Sequence, residues 1–315
     1  MANIIDGKLV TAEVRKKTAA EIAEFKEKSG VTPGLAVILV GDDPASAVYV
    51  RNKHKGCVEV GINSYEIKMP AETTEEDLLS EIARLNADSN VHGILVQLPL
   101  PKHISEERVL NSISPKKDVD AFHPENVGKI MLGKYAFLPC TPAGIMELLY
   151  ENGCLQKCGN ALVIGRSELV GRPIAEMLIQ ENQTVTIAHS KTPRDVLLDA
   201  FARADLVVSA AGQRNLITEE DAYNYFKDNR HYPVADFTFK KNRVIVDVSI
   251  NRDENGKLCG DFSEEFKDKY SEYYTPVPGG VGPMTVAMLM FNTYMAARDR
   301  DYYEGLSKKK KELTE

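Results

Sequence analysis

Short apolar runs suited to buried strands alternate with amphipathic helical stretches along the whole chain, and that alternation constrains the fold more than any other feature. Leu35–Val40 is unbroken apolar sequence, as a strand covered on both faces requires. Before it, Thr11–Lys28 reads as a helix with Val14, Ile22 and Phe25 on one face and Gly30 past its end. After it, Ala45–Val60 reads as a helix closed by Gly61, Asn63–Lys68 as a strand, and Thr74–Asn86 as a helix opened by a Thr74/Asp77 capping box. Gly93–Leu98 is a strand halted by Pro99 and Pro101, and Ser105–Ser112 is a short helix. Ser114–Gly133, rich in charges and turn formers, reads as an ordered loop. Thr141 and Pro142 open a helix that ends at Gly153, and the domain change is placed there. The pattern then restarts. Strands are expected at Asn160–Ile164, Thr184–Ala188, Leu206–Ser209 and Val244–Val248, and helices at Arg172–Gln183, Arg194–Ala204 and Thr285–Arg298. Arg214–Asn242 reads as a helix plus a loop.

The expected fold is therefore α/β: two lobes with parallel-type sheets around a cleft, the second lobe Rossmann-like, and a C-terminal helix returning to the first. The expected domains are 1–143 plus 284–315, and 144–283. At about 150 residues per domain, the 315 residues are enough for two. The 43% hydrophobic and 27% charged content excludes a disordered chain. No apolar run approaches the roughly 18 residues of a membrane span, and Met1-Ala-Asn-Ile-Ile-Asp shows no secretory signal, so a cytoplasmic protein with no membrane partner is expected. The net charge, 39 − 46 = −7, argues against a nucleic-acid partner. The basic run Lys308–Lys311 reads as a solvated helix end. Cys57, Cys140, Cys154, Cys158 and Cys259 are odd in number and scattered. They form neither a disulfide framework nor a zinc site and read as reduced thiols, with no metal expected.

In Asn160-Ala-Leu-Val-Ile-Gly165-Arg-Ser-Glu-Leu-Val-Gly171-Arg-Pro173 a strand runs through a glycine turn into a helix. Gly165 permits the turn, Gly171 permits close packing of the helix start, and Pro173 suits the first helical turn. The amides at that helix start suit a pyrophosphate. Ser167 stands where the dinucleotide fingerprint has its middle glycine. At the end of the next strand, Ala188-His189-Ser190-Lys191-Thr192 carries no acid for a ribose hydroxyl. Arg166, with a hydroxyl and an ammonium nearby, suits a 2′-phosphate, so NADP is the expected cofactor.

Tyr49 and Lys53 are four apart and share a helix face. The helix starts at the carboxyl end of a strand, where open α/β sheets bind ligands. Gln97 interrupts the apolar strand Ile94-Leu-Val-Gln-Leu-Pro near its exit, and Asp120 lies in the polar run Lys116–Asn126. Taken singly, these residues also fit a snorkelling lysine, a structural amide and a loop acid.

Taken together, they resemble the bifunctional methylenetetrahydrofolate dehydrogenase/methenyltetrahydrofolate cyclohydrolase family. The matching segments are Tyr49-x-x-x-Lys53, Gly93-Ile-Leu-Val-Gln97-Leu-Pro-Leu-Pro101, Lys117-Asp-Val-Asp120, Pro139-Cys-Thr-Pro142, Gly165-Arg-Ser-x-x-Val-Gly171-x-Pro173, His189-Ser-Lys-Thr192 and Thr275-Pro-Val-Pro-Gly-Gly-Val-Gly-Pro-Met-Thr285. They run in family order from about residue 5 to 298.

The resemblance implies two reactions in one folate cleft. NADP oxidises 5,10-methylenetetrahydrofolate to the 5,10-methenyl cation, and water opens that to 10-formyltetrahydrofolate. It implies Lys53, Gln97, Asp120 and Tyr49 as the catalytic set, with Asp120 gripping the pterin and Tyr49 packing on the folate rings. Gly279, Gly280 and Pro283 would line the aminobenzoate passage. Gly165, Arg166, Ser167, Gly171, His189, Ser190, Thr141 and Thr285 would serve the cofactor. A homodimer through the cofactor domain is also implied. Three features depart from the family pattern: Ala121 and Ser249 replace glycines, and Arg214–Asn242 is longer than usual. Two rival readings are another two-lobed NADP oxidoreductase acting on a small hydroxy or amino acid, and a non-enzymatic nucleotide-sensing module.

Overall fold

The computed structural model describes residues 1–155, 159–228 and 242–298. Cys158, residues 229–241 of the long segment and the run Lys308–Lys311 lie outside them. The elements are β1 (Asn3–Ile4), α1 (Gly7–Ser29), β2 (Gly34–Val40), α2 (Pro44–Val60), β3 (Asn63–Met69), α3 (Glu75–Ala87), β4 (Gly93–Val96), α4 (Glu106–Ser112), α5 (Pro124–Met131) and α6 (Cys140–Glu151). They continue with β5 (Asn160–Ile164), α7 (Gly171–Gln180), β6 (Thr184–Ala188), α8 (Arg194–Arg203), β7 (Leu206–Ser209), α9 (Glu219–Asp228) and β8 (Val244–Asp247). The last are β9 (Asn251–Arg252), β10 (Leu258–Cys259), α10 (Glu264–Tyr270), β11 (Tyr273–Tyr274) and α11 (Val281–Arg298).

Two compact units result: residues 1–10 with 141–284, and residues 11–140 with the chain from Thr285 onward. The sequence groups residues 1–10 with the following hundred, and the structure does not. Asn3 and Ile4 pair in parallel with Tyr273 and Tyr274, and the Ile5 N–H donates to the Tyr274 carbonyl at 2.8 Å. A two-residue strand is too short to show a period.

In the unit built on residues 11–140 the sheet order is β3-β2-β4, all parallel. All seven residues of β2 are buried, as its unbroken apolar sequence requires. Leu78, Ile82 and Leu85 of α3 join that core, each such burial contributing about 1.5–3 kcal/mol. The Thr74 hydroxyl accepts the Asp77 N–H at 3.1 Å and so caps α3. The chain crosses from β2 to β3 on one side, then from β3 past β2 to β4 on the other. The carboxyl ends of β2 and β4 therefore flank a switch point, where parallel sheets open a crevice.

The other unit carries a six-stranded sheet, β1-β11-β8-β7-β5-β6, again parallel throughout. Its switch point lies between β5 and β7. Phe201, Phe262, Phe266 and Tyr270 form an aromatic group in its core, with Phe262 and Phe266 stacked at 5.5 Å. The strand β6 forms one edge.

One further expectation needs correction. The stretch Ser114–Gly133 is not all loop: Pro124–Met131 is α5, with Pro124 in its first turn and the His123 ring accepting the Glu125 N–H. Its signals are polar or spent on capping, and only Asn126 and Ile130 are buried. α10, capped by Ser263, is too short for its buried Phe266 and Tyr270 to show a period. Among the described residues no helix is long and apolar enough to cross a membrane.

Candidate active site

The first cluster lies in the unit of residues 11–140. Asp43 caps α2 by accepting the Ser46 N–H at 2.7 Å, and Pro44 supplies a turn start that needs no donor. Lys53 sits two turns further on, and its Nζ donates to Gln97 Oε1 at 2.9 Å. Gln97 is the residue after β4, and its backbone N–H still bonds to the Ile38 carbonyl at 2.9 Å. Its Nε2 donates to the Leu98 carbonyl at 2.7 Å. That bond fixes the amide so that oxygen, not nitrogen, faces the lysine. Burial pulls the Lys53 ammonium below its ordinary range, and the Asp120 carboxylate partly opposes this.

Asp120 sits on a tight turn built by buried groups. The Ala121 N–H returns to the Asp118 carbonyl at 3.1 Å, and Ile94 pairs with Asp118 at the edge of β4. The buried Asp118 carboxylate accepts the Phe122 and His123 N–H groups and the Asn126 amide at 3.2, 2.8 and 2.8 Å. From α11, the Asn292 amide donates to the Val119 and Leu138 carbonyls at 2.8 and 2.9 Å. Ala121 has φ of 56° and is fully buried. The position does take the left-handed conformation, so alanine there carries strain that glycine would not.

Lys53, Gln97 and Asp120 are thus brought together, and the structure adds Cys140. Burial and the adjacent Asp120 carboxylate push its thiol well above the ordinary value. The sequence reading treats it as an incidental thiol, although it lies in Pro139-Cys-Thr-Pro142. Tyr49 stands one turn before Lys53 on α2 and is 47% exposed, a free aromatic face beside the cluster.

The second site lies wholly in the other unit. Gly165 has φ of 126°, and a Cβ there would stand 2.5 Å from the Ala210 carbonyl oxygen. A Cβ on Gly171 would stand 2.4 Å from the Gly165 carbonyl oxygen, so both glycines are sterically required. The Ser167 hydroxyl accepts the Val170 and Gly171 N–H groups, each at 3.2 Å. Where a third glycine would leave those amides open, Ser167 closes the turn. Beyond it is a cavity of about 320 Å³ lined by Gly165, Arg166, His189, Ser190, Thr192 and Arg194, with Ala210, Ala211 and Gln213 on one wall. The turn after β6 is closed by the His189 N–H donating to Thr192 Oγ1 at 2.9 Å. Among the described residues no carboxylate lines the cavity, whereas two guanidiniums do. Arg194 is the one missed from sequence; it also pairs with Asp221 at 2.5 Å and donates to the Leu216 carbonyl at 2.7 Å. The Lys191 side chain, Thr141 and Thr285 are not among the lining groups. The residues fit a 2′-phosphorylated dinucleotide: a tight glycine turn in which a Cβ would strike backbone, and beside it the Arg166 guanidinium with the Ser190 and Thr192 hydroxyls.

Gly279 has φ of 109°, and a Cβ on Gly280 would stand 2.7 Å from the Pro276 carbonyl oxygen. Both belong, with Pro283, to the unit of the nucleotide cavity, while Thr285 belongs to the other. Among the described residues no group of three or more His, Cys, Asp or Glu side chains is placed to hold a metal ion.

Fold and site define an α/β protein with a dinucleotide cavity in one unit and a shielded lysine–amide–carboxylate cluster in the other. Residues 5–120 match the tetrahydrofolate dehydrogenase/cyclohydrolase catalytic domain, and residues 139–225 and 232–301 match the NAD(P)-binding domain of the same family. The chain belongs to that family. It is 50% identical over 300 residues to the bifunctional protein FolD of Geotalea daltonii, covering 95% of this chain and 100% of the relative. The crystal structure of the bifunctional enzyme FolD from Campylobacter jejuni superposes with a TM-score of 0.85 at 42% identity, covering 96% of this chain and all of that one. The Trypanosoma brucei enzyme, complexed with NADP and an inhibitor, gives 0.84 at 36% identity, covering 94% of this chain and 97% of that one.

Proposed function

We propose that this chain oxidises 5,10-methylenetetrahydrofolate with NADP and hydrolyses the 5,10-methenyl product to 10-formyltetrahydrofolate. The carrying observation is the Lys53 amine held at 2.9 Å by a Gln97 amide that is itself fixed, with Asp120 beside it. NADP, when bound, accepts the hydride from the one-carbon bridge. The chain supplies position and proton transfer. Asp120 can accept two N–H groups of a pterin on its carboxylate. Tyr49 offers a ring for the pterin and aminobenzoate to pack on. Lys53, its proton affinity lowered by burial, takes a proton from the water that attacks the methenyl carbon. Gln97 keeps the amine aimed while this occurs. Gly279, Gly280 and Pro283 are assigned to the aminobenzoate passage. Gly165, Arg166, Ser167, Gly171, His189 and Ser190, with Thr141 and Thr285, are assigned to the cofactor. The unit of residues 11–140 is the folate domain and that of residues 141–284 the cofactor domain.

We also assign a homodimer through the cofactor domain, in the cytoplasm. Edge strand β6 supports this pairing, with Ile187 43% exposed and Ile179 of the neighbouring α7 51% exposed. The activity is tested by following NADPH and methenyltetrahydrofolate absorbance together, starting from methylenetetrahydrofolate and NADP. NADPH should rise in step with substrate lost while the methenyl signal stays low. NADPH without folate turnover, or neither signal, would contradict the assignment.

A further inference from the structure

Ser249 follows β8 and is 9% exposed. Its hydroxyl donates to Asp261 Oδ2 at 2.8 Å and accepts the Gly212 N–H at 3.0 Å. Asp261 is fully buried, and its carboxylate gathers the same loop from several sides. Oδ2 also accepts the Ser209 hydroxyl at 2.6 Å and the Ala211 N–H at 3.0 Å. Oδ1 accepts the Gln213 N–H at 2.8 Å and the Asn251 amide at 3.0 Å. The Asp261 carbonyl accepts the Leu216 N–H at 2.9 Å.

Three successive amides, those of Ala211, Gly212 and Gln213, are therefore bonded to a two-residue clamp. These residues are exposed and belong to no helix or strand. Nothing in the sheet ladder holds them, yet Ala211 and Gln213, with Ala210, form one wall of the cofactor cavity. A wall left loose would have to be ordered when the cofactor binds, at a cost in affinity. Among the described residues the middle amide is held through the Ser249 hydroxyl alone, which glycine cannot supply.

We propose that Ser249 is a positioning residue for the cofactor: with Asp261 it holds the Ala210–Gln213 wall in its binding shape before NADP arrives. This rests on the assignment of that cavity to NADP. The test uses the full chain and the variants Ser249→Gly, Ser249→Ala and Ser249→Thr, with NADP titrated by calorimetry. Loss of the hydroxyl should raise the NADP Kd and KM about three- to tenfold, the range of one hydrogen bond of modest strength. The kcat at saturating NADP should be unchanged, as should hydrolysis of methenyltetrahydrofolate without NADP. Hydrogen exchange should quicken at residues 211–213, and threonine should restore binding. Wild-type affinity in the glycine and alanine variants would overturn the proposal, as would an equal loss of hydrolysis. If the wild-type chain itself fails to take up NADP, the cofactor assignment falls, and this inference with it.

Discussion

A lysine in water holds its proton until about pH 10.4. Lys53 lets go earlier because burial outweighs its one nearby carboxylate. The sign can be tested. Asp120 raises the proton affinity of Lys53, so Asp120→Asn should lower it further. If the neutral amine is the proton acceptor, the rising limb of kcat for hydrolysis moves to lower pH in that variant, while the folate KM rises. A limb that stays put or moves to higher pH would refute the coupling. Lys53 and Gln97 were legible as polar groups on a helix and at a strand exit, and Asp120, in a polar run, only through the segments that resemble the family. Their mutual distances were not, since Asp120 reaches the site through a turn held by Asp118 and Asn126 and, from far along the chain, by Asn292. Cys140 was hidden because a lone thiol reads the same in sequence whether it lines a site or fills a core.

At the scale of elements, glycine substitutions should separate packing from propensity. A Cβ on Gly171 meets backbone that cannot swing aside, so Gly171→Ala should cost about 1–3 kcal/mol of stability and weaken NADP binding. Gly128, exposed on α5, has open space around its would-be Cβ. There alanine should stabilise by about 0.5–1 kcal/mol through helix propensity alone. Thermal unfolding of the two variants checks both signs, and a matching shift would show that the contacts at Gly171 are slack. The long elements were readable from their periods: β5, β6 and β7 fall on their expected residues. The misses were short. β1, β11, β9 and β10 have two residues each and exist only because a partner strand is present. α5 reveals itself by its cap rather than by an apolar face, and α10 is too short for Phe266 and Tyr270 to show a period.

At the scale of the whole molecule, the assigned pairing through β6 should break when its exposed apolar side chain is charged. Ile187→Lys should convert the dimer to a monomer in light scattering, and an unchanged mass would place the interface elsewhere. The acidic surface, net charge −7, leaves such a patch as the natural place for association. In the proposed reaction the addition of water depends on the Lys53 amine. The most direct test supplies methenyltetrahydrofolate itself, without NADP, to wild-type chain and to Lys53→Ala, and follows its decay. The variant, still folded and still binding NADP, should leave the methenyl signal decaying only at the rate seen without enzyme. Hydrolysis at the wild-type rate would contradict the account.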